Sequence, residues 1–309
     1  MSILVTGGAG FIGSNLVEDL LASGKKVTVL DNMDTGSTSN LKDLSGDLEV
    51  IEGSCADILK FNLKPEAIYH LGIPSSSPMY KKNPFLVGEA INGTIAVFEL
   101  ARSAKCRVVY ASSSSLYSGL TPPHREDMPI QVTDYYTEAR LAIERTAELY
   151  KRLFDVPSAG MRFFSVYGPK EESKKQYANM VSQFLWDMME GKSPVIYGDG
   201  TQTRDFTYVK DVVRALRLAM ISDYHGILNV GTGTAYSFND VVDLINEGLI
   251  NEGIGSEIKP KYVDNPIKNY VSQTLADTSK TKDILGFEAS RTLNDGIRSL
   301  IKFMKKAKL

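Results

Sequence analysis

Tyr136 and Arg140 stand four residues apart in Asp134-Tyr135-Tyr136-Thr137-Glu138-Ala139-Arg140. The apolar spacing predicts a helix over Tyr136–Phe154, so the two side chains share one face. A cation fixed beside a phenol favours phenolate, and such a phenol can take the proton of a substrate hydroxyl while hydride leaves the same carbon. Upstream, Arg107–Ala111 reads as a strand running into Ser112-Ser113-Ser114-Ser115-Leu116-Tyr117. Hydroxyls at the carboxyl end of a parallel strand face the crevice where such sheets bind ligands. Each feature also has a plain reading, as a structural tyrosine or a polar loop. A third feature makes them a candidate site.

That feature is Ile3-Leu4-Val5-Thr6-Gly7-Gly8-Ala9-Gly10-Phe11-Ile12-Gly13. A strand ends, a glycine turn follows and a helix begins. Gly7 permits the turn, Gly10 lets backbone approach a pyrophosphate, and Gly13 lets helix pack on strand. The helix start offers free N–H groups and a positive dipole end to phosphates. Three glycines alone are weak, but the strand–turn–helix context is present. The second strand ends at Asp31-Asn32, 18 residues past Gly13. A carboxylate there accepts hydrogen bonds from ribose hydroxyls and repels a 2'-phosphate, which favours NAD over NADP.

The elements that must position these residues are legible as a rhythm. Ile3–Val5, Lys26–Leu30, Glu49–Glu52, Ala67–Leu71, Arg107–Ala111 and Ser158–Phe163 read as strands, with helices at Phe11–Ser23, Phe85–Ser103 and Tyr136–Phe154. Such alternation predicts an α/β fold, a Rossmann-type doubly wound parallel sheet. After Gly168-Pro169 come a charged, mobile loop over Lys170–Lys175 and helices near Met180–Glu190, Asn239–Asn251 and Leu293–Lys305. The division expected is a dinucleotide-binding domain over 1–165, with 206–230 returning to it, and a smaller C-terminal α/β substrate lobe over 166–309.

Composition excludes other classes. The 309 residues carry 35 Lys and Arg against 37 Asp and Glu, a net charge of -2, with no excess to attract nucleic acid or an anionic membrane. No signal peptide or membrane-spanning run is read, and a cytoplasmic protein is expected. Cys55, Cys106 and the three histidines lack disulfide or metal-ligand spacing, so no metal is expected.

Taken together, Val5–Ser14, Arg107–Tyr117, Arg162–Pro169, Ile196–Val209 and Ala276–Lys280 resemble the nucleotide-sugar epimerase and dehydratase branch of the extended short-chain dehydrogenase/reductases over nearly the whole chain. The resemblance implies NAD as cofactor and a UDP-sugar as substrate. It assigns Tyr136 as base, Ser113 as the hydroxyl bound to the reacting group, and Arg140 as the ribose-side cation, where the family has lysine. It places the cofactor against Gly7, Gly10, Phe11, Ile12, Gly13, Asp31, Asn32, Gly36, Ser37, Ser54, Cys55, Leu71, Gly72 and Phe163. Substrate contacts fall to Ser165, Asn179, Val195, Tyr197, Arg204, Tyr270 and Thr274, with Arg204 on the pyrophosphate. Other departures are Ala90 for asparagine, Ser54 for aspartate, Ser118 for glycine, and Lys268-Asn269-Tyr270 before the Ala-Asp segment.

Related dehydratases place an Asp-Glu pair after the catalytic hydroxyl, and decarboxylases a glutamate. Ser114 and Ser115 stand there in this chain. The expected reaction is therefore C4 epimerisation of a UDP-hexose, UDP-glucose and UDP-galactose being the default pair, through a 4-keto intermediate. A small residue at Thr274 would leave room for an N-acetyl group. The alternatives are a sugar or alcohol dehydrogenase with net NADH release, and a nucleotide-sugar binder impaired by Arg140. Apolar residues on more than one face of the Phe85–Ser103 and Tyr136–Phe154 helices predict a homodimer; both stripes packing on the sheet is the plainer alternative.

Overall fold

The computed structural model describes residues 2–265 and 271–307. Its centre is a sheet built from β1 (Ser2–Thr6), β2 (Val27–Asp31), β3 (Leu48–Glu52), β4 (Pro65–His70), β5 (Arg107–Ser113), β6 (Ser158–Phe163) and a seventh strand, Gly226–Val230. From one edge the order is Gly226–Val230, β6, β5, β4, β1, β2, β3, with every neighbouring pair parallel. The chain winds outward from β1 through β2 to β3, then restarts on the other side with β4. This reversal opens a crevice at the carboxyl ends of β1 and β4. The inner strands β2 and β6 are buried at every residue, as strands covered on both faces must be. The edge strand β3 carries Glu49 and Glu52, both exposed, which discourage pairing with another chain.

The helices are α1 (Phe11–Ala22), α2 (Ser77–Lys82), α3 (Leu86–Ala104), α4 (Tyr135–Phe154), α5 (Met180–Met189), α6 (Val209–Ile221), α7 (Phe238–Asn251), α8 (Ser279–Leu285) and α9 (Leu293–Ala307). Alternating strand residues serve opposite faces. Val5, Val29 and Val109 pack with Leu16 of α1 and Val212 and Leu216 of α6. Leu4, Leu30 and Val108 pack with Val97 and Phe98 of α3 and Ile143 of α4. A separate core joins Phe184 and Leu185 of α5, Val241 and Ile245 of α7, and Ile297 and Leu300 of α9.

Three features differ from the sequence reading. β5 extends two residues further, because Ser112 and Ser113 pair in register with Arg162 and Phe163. The segment returning to the sheet contains a full helix, α6. The loop expected over Lys170–Lys175 carries 3-10 turns within Glu172–Tyr177, broken by non-helical backbone at Lys175, beside a buried carboxylate. Glu171 accepts hydrogen bonds from the Asn179 N–H (2.8 Å), the Ser182 hydroxyl (2.6 Å) and Lys174 Nζ (3.1 Å). Among the described residues, no helix is long and apolar enough to cross a membrane.

Helix α4 begins with a reciprocal cap. The Asp134 carboxylate accepts the Thr137 N–H at 2.8 Å, and Thr137 Oγ1 accepts the Asp134 N–H at 3.0 Å. Asp134 also accepts the Ser77 hydroxyl, tying α2 to this corner. Asp134→Ala should therefore cost about 1 kcal/mol of stability, the usual value of such a cap. Urea denaturation checks this: an unchanged midpoint would show that the cap contributes nothing.

Candidate active site

A cleft of about 350 Å³ lies over the carboxyl ends of the central strands. Its walls include Gly7, Gly10, Phe11, Ile12 and Gly13 from the β1–α1 turn, Asp31 at the end of β2, and Asn32 and Gly36 after it. Leu71 and Gly72 follow β4, and Phe163 and Ser165 lie at the end of β6. Ser113, Tyr136, Arg140 and Asn179 complete the set predicted from sequence that reaches this cleft. Asp34, Ser75, Lys174 and Tyr177 also line it, and no sequence motif had singled them out. A cavity of about 60 Å³ shares Gly7, Asp31 and Gly72 and adds Ser54 and Cys55. Ser37 caps the short Thr38–Asn40 turn instead, and its N–H bonds to the Ala9 carbonyl at 3.0 Å.

The β1–α1 turn fits a dinucleotide. Gly7 has φ +68°, and a Cβ there would lie 2.6 Å from the Gly72 nitrogen; at Gly13 it would lie 2.0 Å from the Gly7 carbonyl oxygen. No side chain caps the start of α1, and its first turn has no acidic residue, so its N–H groups are open to a phosphate. Asp31 accepts N–H bonds from Ala9 and Met33, each at 2.9 Å. Burial pushes its carboxyl above the ordinary value, against the pull of those N–H groups. Gly36 keeps the carboxylate approachable, since a Cβ there would lie 2.7 Å from Oδ1.

At the other end, Ser113 closes β5, and its Oγ accepts the Ser115 N–H at 3.1 Å. Tyr136 is 7% exposed and packs edge-on against Tyr80, ring centroids 5.5 Å apart. Arg140 Cζ lies 4.9 Å over the Tyr136 ring, on its face. Its guanidinium donates to the Ala111 carbonyl (3.0 Å) and the Pro74 carbonyl (2.9 Å). Arg140 is 3% exposed, and its buried Nε has no hydrogen-bond partner. One turn further along α4, Glu144 binds Arg162 through two contacts, 2.7 and 2.9 Å, and accepts the Ser112 hydroxyl. Arg162 also donates to Tyr117 Oη (2.8 Å), which donates to Asn229 (2.8 Å). Burial pulls the Arg162 guanidinium down, but its bonds to Glu144 outweigh this and hold it well above its ordinary value.

The remaining predicted residues lie beyond the cleft walls. Val195 and Tyr197 are exposed on a short strand paired with Lys261–Val263. Arg204 donates to the carbonyls of Thr203, Val271 and Ser272 and lies over the Phe238 ring. Thr274 is buried, with Oγ1 accepting the Asp205 N–H at 3.4 Å. Tyr270 falls outside the described residues. Asp205, unmarked in the sequence reading, is fully buried and accepts from the Thr232 N–H and hydroxyl and the Gly233 and Ala276 N–H groups. It thereby ties its own segment to those of Thr232–Gly233 and Ala276.

Residues 3–231 match the family described as NAD dependent epimerase/dehydratase family. The chain belongs to that family. It is an enzyme of the epimerase/dehydratase family, with NAD as cofactor. A putative UDP-glucose 4-epimerase of Methanocaldococcus jannaschii is 33% identical over 98% of both chains. UDP-glucuronic acid decarboxylase 6 of Arabidopsis thaliana is 33% identical over 96% of this chain and 87% of its own. The structure of UDP-glucose 4-epimerase from Thermotoga maritima with UDP-glucose superposes with a TM-score of 0.92 at 28% identity, covering 100% of each chain.

His70, at the end of β4, is fully buried beside this site. Thr94 Oγ1 donates to the Ala90 carbonyl, so it accepts from His70 Nε2 at 3.1 Å; Nδ1 then accepts the Thr6 hydroxyl at 2.8 Å. Burial, with the nearby Arg140 charge, pushes His70 down from 6.5 to about 3. Burial therefore favours its neutral form, with Nε2 donating to Thr94 and Nδ1 accepting from Thr6. The unfolded chain binds a proton here that the folded chain refuses. The contribution of His70 to stability is therefore fully present above pH 6.5 and falls away as pH drops toward 3. His70→Gln should flatten the loss between pH 6.5 and 4 in urea midpoints; an unchanged slope would remove His70 as its source.

Proposed function

We propose that the enzyme epimerises a UDP-hexose at C4, with UDP-glucose and UDP-galactose as the default pair. The observation that carries this reading is the absence of an uncommitted carboxylate beside Ser113 and Tyr136 among the described cleft residues. Of the acids in the wall, Asp31 ends β2 and Asp34 follows it. β2 lies three strand spacings from β5, roughly 14 Å away. Glu144 is committed to Arg162 and Ser112. Elimination or decarboxylation would use a carboxylate beside the reacting hydroxyl; proton removal and return need only the phenol and a hydroxyl.

Bound NAD supplies a reversible hydride acceptor. Ser113 Oγ holds the 4-hydroxyl. Tyr136 takes its proton and returns it after the 4-keto sugar has turned over. Arg140 fixes the ring of Tyr136 and the two backbone segments beside it. The turn residues, Asp31 and Asn32 hold the cofactor, as do Gly36, Ser37, Ser54, Cys55, Leu71, Gly72 and Phe163. Ser165, Asn179, Val195, Tyr197, Arg204, Tyr270 and Thr274 belong to the nucleotide-sugar side, Thr274 leaving space for N-acetylated substrates. Residues 1–165 with 206–230 thus serve the cofactor, and the rest of 166–309 the substrate. Ile95 of α3 and Leu149, Leu153 and Phe154 of α4 are exposed apolar groups that suit a homodimer face. The free thiols Cys55 and Cys106 suit the cytoplasm.

Purified protein should convert UDP-galactose to UDP-glucose with no net NADH. Tyr136→Phe should lower kcat about 10²–10⁴-fold, the usual share of a positioned base. Stoichiometric NADH would identify a dehydrogenase instead. Bound NAD without turnover, with activity appearing in Arg140→Lys, would identify Arg140 as disabling. A monomeric mass by light scattering at micromolar concentration would overturn the dimer.

A further inference from the structure

We propose that Lys174 is a cofactor-positioning residue, its ammonium set to engage the diphosphate of NAD above the start of α1. The family cofactor requires the β1–α1 turn to receive a dianionic diphosphate. The helix end contributes only about half a positive charge, and the first turn of α1 holds no side-chain cap. Among the described cleft residues the cations are Arg140 and Lys174. Arg140 is held by the carbonyls of Pro74 and Ala111, on the Tyr136 side. Lys174 Nζ lies 5.4 Å from the centroid of the Phe11 ring, at the first residue of α1. Its side chain is 17% exposed, whereas its neighbour Lys175 is exposed.

The lysine is held there by design of its surroundings. Its ion pair is with Glu171, whose side chain is fully buried and also receives the Asn179 N–H and the Ser182 hydroxyl. A carboxylate so committed orients the ammonium without enclosing it, leaving other donors of the –NH₃⁺ group for a phosphate oxygen. Glu171 also fixes the residue that caps α5, so the charge over the cofactor turn and the start of the second lobe share one anchor. A UDP-sugar carries a diphosphate too, but Lys174 lies against Phe11 of the dinucleotide turn, which favours NAD.

The test compares NAD and UDP binding by titration calorimetry, with NAD content of the purified protein as a second readout. Lys174→Gln should bind NAD roughly tenfold more weakly, the loss of one charge-assisted contact, with a shallower salt dependence and UDP affinity unchanged. Lys174→Arg should restore much of the affinity, and Lys175→Gln should leave it intact. Unchanged NAD binding in folded Lys174→Gln, or a loss confined to UDP, would overturn the proposal. Wild-type protein that binds no NAD would overturn the cofactor assignment itself, a separate outcome. Should Lys174→Gln not fold, reductive methylation of the wild-type chain decides: NAD should protect Lys174 and leave Lys175 reactive, and equal labelling with and without NAD would overturn the assignment.

Discussion

The buried ion pair between Glu144 and Arg162 fixes the geometry on which the rest of the site depends. Tyr136, Arg140 and Glu144 succeed one another at four-residue intervals along α4, so they share a face. Glu144 anchors that face to β6 through Arg162 and to β5 through Ser112, the residue before Ser113. Rotation of α4 or a shift of the β5 end would break charged hydrogen bonds in a site where both partners are under 10% exposed. Removing one partner of such a pair typically costs about 3–5 kcal/mol, because the other charge stays buried. The pair therefore secures the relation between the hydroxyl on the strand and the phenol on the helix. Through Tyr117 and Asn229 the same network reaches the carbonyls of His124 and Asp277, so the segments that carry them are held to the sheet end by it.

The cofactor side is governed by exclusion. Backbone of the β1–α1 turn passes so close to Gly72 and to itself that side chains at Gly7 and Gly13 have no room. The same closeness sets the start of α1 against the end of β4, at the point where strand order reverses. A site built this way presents N–H groups and the carboxylates of Asp31 and Asp34, and leaves positive charge to be supplied from elsewhere. Among the described cleft residues the cations are Arg140 and Lys174.

Much of this was legible in the sequence because it rests on local rules. The glycine turn, Asp31 at a strand end and the four-residue spacing of Tyr136 and Arg140 each announce a backbone constraint. The β5 end did not, since four serines satisfy loop preferences until β6 pairs with two of them. Glu171, Asp205 and Lys174 were equally silent. Their roles come from burial and from partners far apart in sequence, as when Asp205 meets Thr232, Gly233 and Ala276. Charge-rich text such as Glu171-Glu172-Ser173-Lys174-Lys175 reads as a solvated loop, and nothing local marks that the first glutamate is buried.

Arg140 shows how a substitution in such a framework can keep its charge and change its duty. An ammonium carries three donors about a point and can turn toward a ligand hydroxyl. A guanidinium is planar, with donors in a fixed fork. Here the fork bridges Pro74 and Ala111, carbonyls following β4 and within β5, and stacks on Tyr136. Two of its donor groups are thereby directed at the protein, and the orphan Nε is the donor left buried without a partner. The gain is rigidity around Tyr136, whose ring lies between the Arg140 guanidinium and Tyr80. With both terminal nitrogens committed to protein carbonyls, the cation on α4 is a fixed part of the cleft wall rather than a mobile donor.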